Sequence, residues 1–426
     1  MPLSTKPLRT LLIAGSMLSL AACATVGPNF KAPAPPAGAA GAGYAMAGDP
    51  AASGVRLSPD ARVAGAWWQA FGSPELDATI RQALADSPTL AEARATLERV
   101  QQQAAAIAGA QRPQVDANAS AQRERINTQA FGFTGFPSPT INLFSVGGGV
   151  SYDLDLFGGR RRATEEAGAR VEQAARQADA AYLTLSGNIA LQAMRIASLR
   201  AQIAAVREVV AGDEQVLEMV RRAQAAGGEA RSATATGTAQ LAEDQALIPP
   251  LERELDRARH QMALLSGKSP AEWTAPDFDL ARLTAPADIP LTLPSSLVRE
   301  RPDILAAQAE MHAATAAIGV AVANQYPDIR LSANLTQGAI KPENLFNYAS
   351  SGWNLLAGVS APIFHGGTLK AQRRGAEAEA RASMARYQQT VLRAFVQVSD
   401  VLSDLGSDQQ SLEALQRAAD AAAANA

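Results

Sequence analysis

At 426 residues, 47% hydrophobic and 19% charged, the chain is long enough for two or more ordinary domains. Its formal net charge of −3, with no Lys/Arg run beyond Arg160–Arg162, argues against a nucleic-acid partner. Aromatics are only 5% while alanine is abundant, which suits long, closely packed helices, and no stretch reaches the roughly 18 apolar residues of a spanning helix.

Residues 1–22 read as a targeting segment. Lys6 and Arg9 precede a short apolar run, Leu11 to Leu20, which closes in Leu20-Ala21-Ala22-Cys23. The arrangement resembles a bacterial lipoprotein signal, so Cys23 is expected to become the acylated first residue of the mature chain. Ala24 after it resembles the default address to the outer membrane. An ordinary secretory signal with an incidental cysteine is the alternative. Cys23 is the only cysteine, so no disulfide can form within the chain. Residues 23–64 are rich in Ala, Gly and Pro, have no period and are expected to form an extended tether.

A first repeat is expected over 65–280. Its opening helix starts at Trp67-Trp68 and runs to about Gln111, with Leu90, Ala93, Leu97, Val100, Ala104 and Ile107 spaced as a coiled-coil seam. After Pro113 the period changes to two, giving a strand over about 113–125 and, past a polar loop, another over about 144–156. Phe144, Val146, Val150, Tyr152, Leu154 and Leu156 fall on one side of the second strand, opposite Ser145, Ser151, Asp153 and Asp155. Apolar on one face and small or acidic on the other is the pattern of a membrane barrel strand, apolar to lipid and polar to lumen. A β-sandwich strand is the alternative for one such segment alone. Gly158-Gly159 closes the strand, and the proline-free stretch 160–226 predicts a helix about 100 Å long. A further helix is expected over about 238–266, tolerating or kinked at Pro249-Pro250, followed by an irregular linker over 273–293.

The second repeat, 281–426, replays the first. Pro88 falls on Pro302, Gln111 on Gln325, Pro113 on Pro327 and Ala119 on Ala333 without a gap. A helix over about 295–325 leads to strands over about 327–337 and 353–363, then to a long helix from Thr368. Val115, Val150, Leu154 and Leu331 are expected to face lipid, and Asp153, Asp155 and Asn334 the lumen. Four strands cannot close a barrel and open edges cannot face lipid, so strands from other copies of the chain are required. The second repeat is shorter than the first, and the counterpart of the first repeat's last stretch is expected to be missing.

Cys23 to Phe30, Trp67 to Gly72, Leu154 to Gly159, Arg301-Pro302-Asp303-Ile304 and the run Ile318 to Pro327 together resemble the TolC-like outer-membrane efflux factors. The likeness is to their lipoprotein branch (NodT-like), which serves tripartite RND-type pumps. The resemblance implies a mainly α fold with membrane β: two tandem helix-strand-strand-helix repeats. It further implies a trimeric 12-stranded β-barrel continued by a periplasmic α-helical coiled-coil tunnel. Expected partners are two further copies of the chain, a periplasmic adaptor protein, an inner-membrane pump and outer-membrane lipid. The implied function is a passive exit duct for drugs or other small molecules. The resemblance also places Asp420 on the family's pore-gating aspartate, where three carboxylates would ring the pore; a simply solvated aspartate is the alternative.

Catalytic chemistry finds no foothold. His260, His312 and His365 are scattered, Met262 stands where a P-loop needs glycine before Gly267-Lys268-Ser269, and no nucleophile elbow occurs. Neither enzyme activity, a cofactor nor a metal site is expected. A duct for protein secretion and a non-channel structural or adaptor lipoprotein remain the alternatives; the adaptor would share the helical seams but lack strands of membrane length.

Overall fold

The computed structural model describes residues 25–34, 44, 57–59, 65–132, 134–285, 289–291 and 294–425. The signal segment, Cys23 and most of the tether lie outside the described residues. In chain order the elements are β1 (Leu57–Pro59), α1 (Pro74–Asp86), α2 (Pro88–Gly109), β2 (Gln114–Arg125), β3 (Thr140–Leu154), α3 (Gly159–Ala225), α4 (Arg231–Gln245), α5 (Ile248–Leu265), β4 (Ile289–Leu291), α6 (Pro294–Glu300), α7 (Pro302–Ala323), β5 (Asp328–Ala339), β6 (Ser351–Ser360) and α8 (Thr368–Asn425). They form two compact units: Met1–Ala34, Glu98–Gln173 and Ala306–Thr390 in one, Pro35–Leu97, Ala174–Leu305 and Val391–Ala426 in the other.

The duplicated prolines break helices that the seam pattern reads as continuous. α1 stops at Ser87, which is extended with ψ 124°, and α2 begins at Pro88. α6 and α7 are likewise separated at Arg301-Pro302. A proline ring crowds the residue before it out of the helical region, so each long expected helix becomes two. Ser73 caps α1, its hydroxyl accepting from the Leu76 amide at 3.2 Å, with Pro74 in the first turn. Pro249-Pro250 fall in the first turn of α5, where missing amides cost least, so the expected kinked helix is instead the separate α4 and α5.

The second unit holds the apolar core. Leu76, Ile80, Ile189, Ile196 and Met262 are completely buried, with Trp68 and Phe278 nearly so. Each comes from α1, α3 or α5, or from a flanking loop. β1 and β4 pair in parallel, Leu57 opposite Ile289, in stretches expected to be tether and linker. Three-residue strands carry no periodic signal.

The first unit is built around an antiparallel sheet in the order β2-β3-β5-β6. Val115 pairs with Val150, Val150 with Ala333 and Ala333 with Leu355, so the register runs unbroken from edge to edge. α7, at 22 residues, is long and apolar enough to cross a bilayer, contrary to the expectation of no such stretch; half of its apolar window is buried within the protein.

Candidate conduit wall

Side chains alternate across a strand, so paired residues in register share a face. One face of the sheet carries Val115, Ala119, Val146, Val150, Tyr152, Leu154, Leu331, Leu335, Trp353, Leu355 and Val359. These are unusually bare for large apolar groups: Val115, Trp353 and Leu355 are each about three-quarters exposed (74%, 76% and 74%). The other face is polar and internally bonded. Ser120 and Ser145 hydroxyls lie 2.8 Å apart, and the Asn334 amide donates to Asn354 Oδ1 at 2.9 Å. The Asp153 carboxylate meets Arg330 at 3.2 Å and also takes a bond from Arg160. Ile141, Leu143 and Leu356 are the large apolar residues on this face.

Four of the residues expected on the apolar face, Val115, Val150, Leu154 and Leu331, thus share it, and Asp153 and Asn334 share the other. Asp155 does not line the sheet. It lies past the end of β3 and caps α3, its carboxylate accepting from the Arg160 amide at 3.1 Å and the Arg161 amide at 2.9 Å. A carboxylate there offsets the positive end of the helix dipole. Past the end of the strand Gly158 turns the chain with φ 77°, a conformation that side chains disfavour.

The strands are 12, 15, 12 and 10 residues long, enough for a tilted strand to cross a bilayer, which takes about 9–11 residues. Aromatics, most of them exposed, stand at both ends. Phe131, Phe136, Phe346 and Tyr348 lie in the two hairpin loops, while Phe157 stacks on Tyr326 at 4.6 Å by the opposite end. Aromatic girdles flank the apolar band of membrane barrels in this way. Among the described residues, the outer edges of β2 and β6 have no strand partner.

Asp420 is exposed near the end of α8, and Cys23 is outside the described residues. Pattern reasoning missed several charged groups. Asp213 on α3 bonds to Asp244 on α4; that hydrogen bond, burial and the second negative charge push its carboxyl above the usual range. Arg162 is 3% exposed, although the sequence shows it only as part of a short basic run.

The sequence model of a family described as outer membrane efflux protein matches residues 79–268 and 293–426. The chain is 31% identical over 417 residues to the pyoverdine export outer membrane protein OpmQ of Pseudomonas aeruginosa, covering 94% of this chain and 85% of that one. It is 26% identical over 407 residues to the probable outer membrane lipoprotein SilC of Salmonella typhimurium, covering 96% and 85%. The fold is similar to the solved outer-membrane channel OprN, with a TM-score of 0.80 at 27% identity over 94% of this chain and 87% of that one.

Proposed function

The chain belongs to the outer membrane efflux protein family, and from that premise we propose that three copies of it form one exit duct. It is an outer-membrane efflux channel, and small molecules leave through it. The observation that carries the assembly is the sheet, with an exposed apolar face, a polar face and, among the described residues, two unpaired edges. A lipid-exposed sheet cannot keep open edges, because each unpaired amide and carbonyl costs several kcal/mol in hydrocarbon. Pairing β2 of one copy with β6 of the next satisfies every edge, and three copies give twelve strands. Eight strands enclose a space filled by side chains, whereas a larger closed sheet leaves room for a passage.

In this reading residues 65–280 and 281–426 are the two repeats, their long helices continuing the barrel as a periplasmic tunnel. A periplasmic adaptor and an inner-membrane pump deliver substrate to it. The duct works without chemistry: the polar face lines the path and the pump selects what enters. OpmQ is described as exporting pyoverdine, which places a small-molecule cargo within the reach of such a duct.

Residues 1–22 act as a lipoprotein signal, and Cys23, heading the 23–64 segment, takes the acyl chains; two chains anchor stably where one does not. Labelled palmitate should enter the wild-type protein and be lost in Cys23→Ser, whereas equal labelling of the two would remove the anchor from this residue. Asp420 gates the pore as one of three facing carboxylates, which would attract divalent cations and repel one another. Block of the open pore by divalent cations should fall in Asp420→Ala, and unchanged block would take Asp420 out of the gate.

A further inference from the structure

The segment directly after Cys23 is held against the folded unit by a side chain that the duct function does not require. Arg162, in the first turn of α3 and almost fully buried, spends its guanidinium on that segment. Its Nε donates to the Val26 carbonyl at 3.1 Å, and Nη2 donates to the Gly27 carbonyl at 3.3 Å and to Asn29 Oδ1 at 2.7 Å. Nη1 donates to Glu165 at 2.7 Å, and the other oxygen of that carboxylate lies 3.0 Å from Nε2 of His312 on α7. Burial opposes ionisation of Glu165, but the bonds from Arg162 and His312 outweigh it and hold the carboxyl below its usual range. The His312 ring in turn stacks on Phe30, with centroids 4.4 Å apart and planes 15° from parallel. At the other end of the segment the Val26 amide donates to the Phe157 carbonyl at 3.0 Å.

The contact is also shaped by three residues without side chains. A Cβ on Gly27, whose φ is 89°, would sit 2.5 Å from the Gly319 Cα. A Cβ on Gly319 would sit 2.6 Å from the Arg162 Cγ, and one on Gly158 would sit 2.8 Å from the Thr25 Cα. Backbone meets backbone at Gly27 and Gly158, and the stem of Arg162 lies against Gly319, as glycine allows. A segment merely lying on the surface would need neither a buried guanidinium nor glycine at each approach.

We propose that Thr25–Phe30 is a built-in strap, seated by Arg162 across Gly319, which fixes the residue carrying the lipid anchor to the base of β3. The strap rests on the acylation of Cys23 only for its anchoring role. Two residues of chain reach at most about 7 Å, so a seated Thr25 limits how far an anchor attached two residues before it can stray. The acyl chains then enter the bilayer where the sheet leaves it, and the anchor sets the depth of the sheet instead of trailing from a free tether.

The test is limited trypsinolysis of the full protein purified in detergent, following the peptide ending at Lys31 by mass spectrometry. A protease needs free, extended chain around the bond it cuts, so a seated strap must open before Lys31 is cleaved. Gly27→Ala lies outside every helix and strand and disturbs only the seat. Arg162→Lys keeps the charge but loses the planar fork that reaches three acceptors at once. Both variants are expected to speed cleavage at Lys31 about tenfold or more, while cleavage at the exposed Arg282 keeps its rate. Wild-type cleavage at Lys31 as fast as in Gly27→Ala overturns the strap, and should Arg162→Lys fail to fold, that comparison still decides. The released peptide is expected to carry the mass of acyl chains; a bare peptide released as slowly as expected overturns the anchoring role alone.

Discussion

Proline at either Ala117 or Asn118 is expected to abolish the trimer. Among the described residues β2 is bonded to a strand on one side only, and amides along it point alternately toward β3 and toward the open edge. One of these two neighbours therefore donates inward and the other outward. A proline at the inward position removes a bond of the β2–β3 ladder. At the outward position it removes one that only a second copy could accept, and its ring obstructs that strand. In a protein whose β2 edge stayed free, the outward proline would be tolerated, since edge strands accept proline on the solvent side. Native mass spectrometry of the two variants in detergent distinguishes these cases. Loss of trimer in both is the expected result, and normal assembly by the outward variant contradicts pairing at this edge.

The second large effect is an asymmetry between adjacent residues. Leu335 and Asn334 lie in the middle of β5, paired with Gly148 and Gly149, and so at nearly the same depth on opposite faces. Leu335→Arg places a charge on the apolar face and should destabilise the inserted protein by about 2–4 kcal/mol, the cost of arginine facing lipid near the midplane. Asn334→Arg extends into the polar interior and should leave stability nearly unchanged while altering conductance. Urea titration of the protein folded into vesicles reads the first effect, and single-channel current the second. If Leu335→Arg folded like wild type and Asn334→Arg did not, the faces would be reversed.

The strand faces were legible because alternation is a local property with a period of two. Val115, Val150 and Leu331 each share a face through the register that the alternation implies. The same alternation runs on through Asp155 and Leu156 in sequence, yet the backbone has already left the sheet. Nothing in the period records that the amides of Arg160 and Arg161 claim Asp155 as a cap. The helix breaks at Ser87 and Arg301 were written in the prolines that follow them, but a seam continuing with steps of three and four on both sides masks them. The Arg162 seat had no local signal at all. Its partners at Val26, Gly27 and Asn29 are more than 130 positions away in the chain, and in sequence Arg162 looks like the end of a basic run. Residues whose role is set by such distant partners become visible only when the chain is folded.

The most direct test of an exit duct is the current carried by the purified protein in a planar lipid bilayer. Incorporation at known density should produce discrete conductance steps of one size, each requiring three copies, and Asn334→Arg should change the step without abolishing it. Inserted protein that leaves the bilayer as resistive as lipid alone under every voltage and salt condition would contradict a duct.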